Sequence, residues 1–267
     1  MTYIQVDTSV RLFAQDIGEG PALVLIAGFG LDHRVWDRQV TMLARDHRVI
    51  CVDQRGHGYS DKPLGGYEVD RLAYDLHLVL DKLGVERCDL LGWSFGGQVA
   101  FRAAAEEPER VNSLVLVGSN GVRASRSTEF PFGRSAADVE PALVTAEERN
   151  RLAARRTALA GAFQRDAEPE LLEWLVGCSL SMPSWAGAAC YHTMLNADLI
   201  ADLPRVTMPV LQLIGRQDPV HSAKGARWVN ERLPDSRLVE LDDCGHYPMF
   251  EAADRFDEAL LEFLAAP

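Results

Sequence analysis

Apolar positions along this chain follow two alternating rhythms. Short, mostly unbroken apolar runs at 22–27, 49–52, 88–91, 111–117 and 210–214 end in turns rich in glycine or aspartate. Runs of this kind fit strands covered on both faces. Between them lie stretches with helical spacing. In 67–83, Leu72, Leu76, Val79, Leu80 and Leu83 recur every three or four residues, and Gly84 supplies the stop. Further helices are predicted at 36–45, 96–107 (ended before Pro108), 223–233 and 256–264. Two alternating segments, 3–6 and 10–15, open the chain, Gly18-Glu19-Gly20-Pro21 turns it, and a last strand is expected at 238–241.

The strand–helix order predicts an α/β fold, a mostly parallel eight-stranded sheet with helices on both faces. The rhythm breaks after Gly118. Residues 121–203 are rich in Ala, Arg and Glu, with helical patterning and no convincing strand. They are expected to form a helical lid inserted into a core made of 1–120 and 204–267.

Composition narrows the function. The 267 residues are 47% hydrophobic and 25% charged, so a chain-wide disordered state is excluded and a large core with a pocket is feasible. Lys plus Arg is 27 against 39 for Asp plus Glu, a net charge of −12, and no basic run could neutralise several phosphates, so no nucleic-acid partner is expected. Five scattered cysteines (Cys51, Cys88, Cys178, Cys190, Cys244) form no C-x-x-C pair or zinc-type cluster. Cys51 and Cys88 read as buried free thiols, which suits a reducing, cytoplasmic compartment. The opening residues lack a basic start and an apolar core of the signal-peptide type. The longest uncharged run, 174–191, is broken by Pro183, so no membrane span is expected.

The chemistry centres on Gly92-Trp93-Ser94-Phe95-Gly96-Gly97, between an apolar run and a predicted helix. On its own, G-x-S-x-G arises by chance in roughly one such chain in ten. The strand-to-helix context makes it specific, because a sharp turn there exposes the serine hydroxyl and needs small residues two places either side. Such a serine needs a base and an orienting acid. Asp218 follows the 210–214 run, and His246 follows the 238–241 run, at the sheet edge where α/β proteins build sites. Ser94 would attack, His246 would move the proton, and Asp218 would orient the imidazole. Asp242 and Asp243 lie nearer His246 in sequence and are alternative partners. His57, in Gly56-His57-Gly58, reads as structural, and His221 as a bystander near Asp218. The backbone N–H groups of Phe95 and of Phe29, in Gly28-Phe29-Gly30, would bind an oxyanion.

These segments, with Asp53-Gln54-Arg55-Gly56-His57-Gly58-Tyr59-Ser60 and Cys244-Gly245-His246-Tyr247-Pro248, resemble the α/β-hydrolase fold family over nearly the whole chain. The chain is similar to small carboxylesterases of the pimeloyl-carrier methyl esterase type, enol-lactonases, cofactor-free perhydrolases and carbon–carbon bond hydrolases. These families usually carry His-Gly before the oxyanion residue; here it is Ala27-Gly28.

The resemblance implies a serine hydrolase acting on a small, mostly apolar carboxylic ester through an acyl-enzyme on Ser94. Carbon–carbon bond hydrolysis of a ring-fission diketone acid, enol-lactone hydrolysis, and ligand binding without catalysis are the rival readings. Neither a cofactor nor a metal is expected, and the partner is a small-molecule substrate, with a homodimer the one assembly considered. Gly28, Trp93, Phe130, Trp185 and Tyr191 are candidate substrate contacts. Phe132, Phe163, Trp174, Leu175, Met182 and Met194 extend the apolar lining expected of the lid. Arg123, Arg126 and Arg134 could meet an anionic group, or be solvated.

Overall fold

The computed structural model describes residues 1–265. Residues 266 and 267, which end the expected core segment 204–267, lie outside the described residues. Eight strands form one sheet: β1 (Thr2–Gln5), β2 (Arg11–Ile17), β3 (Ala22–Ile26), β4 (Arg48–Val52), β5 (Cys88–Trp93), β6 (Val111–Val117), β7 (Val210–Gly215) and β8 (Ser236–Leu241). Their spatial order is β1-β2-β4-β3-β5-β6-β7-β8. β1 and β2 pair antiparallel, β2 joins β4 antiparallel, and every later pairing is parallel.

The apolar runs are continuous because successive residues enter different cores. Val24 and Ile26 of β3 join one cluster, while Leu23 and Leu25 join the other. Helices α1 (Asp37–Leu43), α2 (Val69–Lys82) and α3 (Phe95–Glu106) supply the first coverings. Leu72, Leu76 and Val79 of α2 and Val99 and Phe101 of α3 pack into the first cluster. Val40 and Leu43 of α1 pack into the second.

Between β6 and β7 the chain is helical: α4 (Ala136–Ala160), α5 (Pro169–Ser179), α6 (Ser184–Asn196) and a 3-10 turn at Ile200–Arg205. α4 is kinked at Asn150, whose backbone leaves the helical region (φ −152°, ψ 78°). The Asn150 side chain accepts a hydrogen bond from the Ala153 N–H at 3.1 Å and so caps the second half of the helix. After β7 come α7 (Ala223–Asn230), α8 (Pro248–Glu251) and α9 (Ala253–Leu264), whose Phe256 and Leu260 complete the second core.

Several boundaries differ from the sequence expectation, by up to three residues. The first helix is preceded by a 3-10 turn, His33–Trp36, in which the Asp32 side chain accepts from the Arg34 N–H. α9 starts three residues earlier than its apolar stripe, and β8 two residues earlier, because polar residues occupy exposed starts of both. All five cysteines are free and buried. Among the described residues no helix is long and apolar enough to cross a membrane.

Candidate active site

Ser94 sits between β5 and α3 with φ 54° and ψ −121°, a conformation L-residues rarely adopt. Crowding around the turn explains its glycines. A Cβ at Gly96 would lie 2.5 Å from the Ala27 carbonyl oxygen, and one at Gly92 would strike the backbone of Gly96 and Gly97. Strained geometry of this kind persists only where packing over-determines it. The turn holds the Ser94 hydroxyl at the C-terminal end of the sheet, beside the start of α3.

His246 reaches it from the loop after β8. Its Nε2 lies 2.8 Å from Ser94 Oγ, and its Nδ1 lies 2.9 Å from Asp218 Oδ2. With Nδ1–H donating to the carboxylate, Nε2 is left to accept from the serine hydroxyl. The loop is pinned twice: the His246 N–H donates to Ala162 O at 2.9 Å, and Trp93 Nε1 donates to His246 O at 2.8 Å. The second oxygen of Asp218 accepts from the backbone N–H groups of Val220 (2.8 Å) and His221 (2.9 Å). The Asp218 side chain is fully buried.

The rival carboxylates are engaged elsewhere. Asp242 pairs with Arg216 at 2.8 Å and Asp243 with Arg165 at 3.2 Å. His57 is buried, with Nδ1 3.0 Å from the Arg55 carbonyl, and burial pushes it down to about 4. His221 lies closer to the site than a bystander. Its ring lies nearly parallel to that of His246, 5.8 Å between centroids, and burial pushes it down to about 4.

Of the two expected oxyanion donors, Phe95 directly follows the serine as the first residue of α3. Among the described residues, neither the Phe95 nor the Phe29 backbone N–H meets a protein acceptor. Gly28 brings the second loop close: a Cβ at that position would lie 2.8 Å from the Ser94 Cβ.

A cavity of about 780 Å³ opens on Ser94, Asp218 and His246, within the range of small-molecule sites. Phe29, Trp93, Tyr191, Phe132 and Met194 line it as expected. Several expectations need correction. Phe130 faces away and packs edge-on against Phe132 and Trp228, fully buried in the core. Trp185 is half exposed on the outside, where its indole N–H donates to the Pro63 carbonyl at 3.2 Å. Gly28 lies beneath Ser94 and is not part of the cavity wall. Leu175 and Met182 are core, Trp174 packs edge-on against Phe250 at the surface, and Phe163 stacks on Tyr247. Arg123 pairs with Asp198 and Arg126 with Asp138, whereas Arg134 lines the cavity.

Sequence reasoning missed much of the wall. Val139, Ala142 and Leu143, with Ala158, Leu159 and Ala162, present small apolar side chains from α4 and the turn after it. Their spacing of three and four was the available signal. The charges interspersed along an Ala-rich helix hid it. Asp32, His33 and Asp53 form the one compact His/Asp group among the described residues, outside this cavity. Its oxygens already accept from Arg34, His33 and the Tyr59 N–H.

Comparison with known proteins agrees with this fold. Residues 21–253 match the family model described as alpha/beta hydrolase fold. The chain is 34% identical over 248 residues to the pimeloyl-[acyl-carrier protein] methyl ester esterase of Nitrosomonas europaea, covering 90% of this chain and 94% of the relative. It is 30% identical over 243 residues to 3-oxoadipate enol-lactonase 2 of Acinetobacter baylyi, covering 90% and 87%. Its structure matches an esterase from Exiguobacterium antarcticum with a TM-score of 0.95 at 25% identity, over 99% of both chains. A serine held at a strained strand-to-helix turn, on a mostly parallel sheet with this order and with these relatives, marks the chain as a member of the α/β-hydrolase fold family.

Proposed function

We propose that this protein hydrolyses small, mostly apolar carboxylic esters through an acyl-enzyme on Ser94. The observation that carries the proposal is the hydrogen-bonded chain Asp218–His246–Ser94, with spacings of 2.9 and 2.8 Å, at the floor of an apolar-walled cavity. The Ser94 oxygen attacks the ester carbonyl carbon as its proton passes to His246 Nε2. The carbonyl π pair moves to oxygen, and the Phe29 and Phe95 N–H groups receive that oxyanion. The tetrahedral centre then collapses, the C–O bond to the leaving group breaks, and His246 returns its proton to the departing alkoxide. Water, deprotonated by the same imidazole, repeats the sequence on the acyl-enzyme and releases the acid. Asp218 keeps the imidazole in the required tautomer and stabilises its cationic form. The esterase and lactonase relatives support this bond class.

A second reading differs in the substrate's far end. Arg134 and Lys224 line the same cavity, and neither pairs with a carboxylate among the described residues. That favours a substrate carrying an anionic group, such as a lactone acid or a ring-fission diketone acid. A panel of neutral esters, carboxylate-bearing lactones, thioesters and a ring-fission diketone, run with wild type and Ser94→Ala, tests both. The ester reading predicts highest kcat/KM for the neutral esters and its loss in Ser94→Ala; faster turnover of the diketone than of any ester would contradict it.

A further inference from the structure

We propose that Arg155, locked by Glu147, positions the Phe29 backbone N–H for oxyanion binding; the inference rests on the acyl-transfer reading above and deepens it. Arg155 lies in the second half of α4 and is 2% exposed. A guanidinium stripped of water needs its donors answered. Here they are: Nε and Nη2 donate to the two oxygens of Glu147 at 2.8 and 2.6 Å, and Nη1 donates to the Ser179 carbonyl at 3.0 Å. Glu147, fully buried, precedes the Asn150 kink and Arg155 follows it, so the pair ties the two halves of α4 to the end of α5.

Stability alone does not account for the pair, since buried ion pairs are often replaceable by apolar residues at no loss. Its contacts do. The Arg155 guanidinium carbon lies 4.8 Å from the centroid of the Phe29 ring, within cation–π range. Tyr191 of α6 stacks on the same ring at 4.0 Å. The guanidinium also lies directly against the loop backbone, because a Cβ at Gly30 would collide with Arg155 Nη1. α6 is cleared for the pair at Gly187, where a Cβ would lie 2.6 Å from Glu147 Oε1. The Phe29 side chain is therefore gripped from the helical segment, while its N–H, next to the Gly28 that packs against Ser94, has no protein acceptor among the described residues. The loop backbone on either side is held by Gln54, whose side-chain amide donates to the Ala27 carbonyl at 3.1 Å, and by the Leu31 N–H, which donates to the Gly28 carbonyl at 3.2 Å; Arg155 and Tyr191 hold the Phe29 side chain between them.

Arg155 acts through Phe29 and touches no reacting atom. Misplacing one oxyanion donor costs roughly tenfold to a few hundredfold in kcat. The experiment replaces the ion pair by apolar side chains of similar length, Arg155→Met with Glu147→Leu. Expected are an unchanged circular dichroism spectrum, KM for a neutral ester within about twofold, and kcat lower by about tenfold or more. Inhibition by a trifluoromethyl ketone, which binds as a tetrahedral oxyanion, should weaken by the same factor. Binding of the corresponding methyl ketone should not change. Phe29→Ala should lower kcat, and adding the Met/Leu pair to it should cost little more, because both changes remove one coupling. If the pair variant fails to fold, Arg155→Lys takes its place, since an ammonium cannot reproduce the forked pairing. Arg156→Gln, at the exposed neighbour paired with Glu173, should leave all readouts at wild type. A kcat within twofold of wild type, a loss confined to KM, or losses that multiply in the combined variant would overturn the proposal. Ser94→Ala run alongside separates the two claims: activity surviving it sinks the acyl-transfer reading, whereas loss there with full activity in the pair variant sinks only the positioning role.

Discussion

A serine hydroxyl needs both exposure and a base, and at Ser94 different residues supply each. The strained backbone supplies the first and His246 the second, with Asp218 fixing which imidazole nitrogen carries the proton. Asp218→Asn should leave the fold intact and lower kcat by on the order of 10³- to 10⁴-fold, because an amide can hold the wrong tautomer. Steady-state kinetics with an activated ester checks this, and a loss under tenfold would return Asp242 or Asp243 to consideration. These residues were legible in the sequence because each sits in a turn directly after an apolar run. The cavity wall was legible only in part, because an aromatic in the inserted segment carries no mark of direction. Phe130 and Trp185 look alike in sequence, yet one is core and the other points outward. Arg155 was equally illegible: it stands in an Arg-Arg pair, and only its buried contacts separate it from exposed Arg156.

At the scale of elements, periodicity carried the reading wherever one helix face meets one sheet face. α2 is the clearest case: Leu72, Leu76, Val79 and Leu80 are all buried against the sheet. Leu76→Ala should cost about 2–5 kcal/mol of stability, since it opens a cavity in a packed core. Urea unfolding measures it, and a cost below about 1 kcal/mol would mean the helix is less tightly packed than its burial implies. The kcat of this variant should stay near wild type, because α2 does not line the cavity. Helix α4 shows where periodicity fails. Both halves place residues on the cavity wall, but the kink at Asn150 breaks the register between them, so no single apolar stripe runs its length. Asparagine is a common capping residue, but nothing in the surrounding pattern shows that one helix there becomes two.

For the whole molecule, two buried histidines make stability respond to acid. His57 and His221 are pushed down to about 4, against an ordinary value of 6.5. Between these values the unfolded chain binds protons that the folded chain does not. Their contribution to stability is thus complete above about pH 6.5 and is lost progressively as pH falls towards 4. The melting temperature should decline across that window, and His221→Asn should flatten the decline; an unchanged slope in the variant would contradict it. The most direct measurement of the central claim is covalent labelling with a fluorophosphonate, read by intact mass and peptide mapping. The account predicts one adduct per chain, on Ser94, absent in Ser94→Ala and formed far more slowly in His246→Asn. Folded protein that stays unlabelled, or carries the label on another residue, would contradict it.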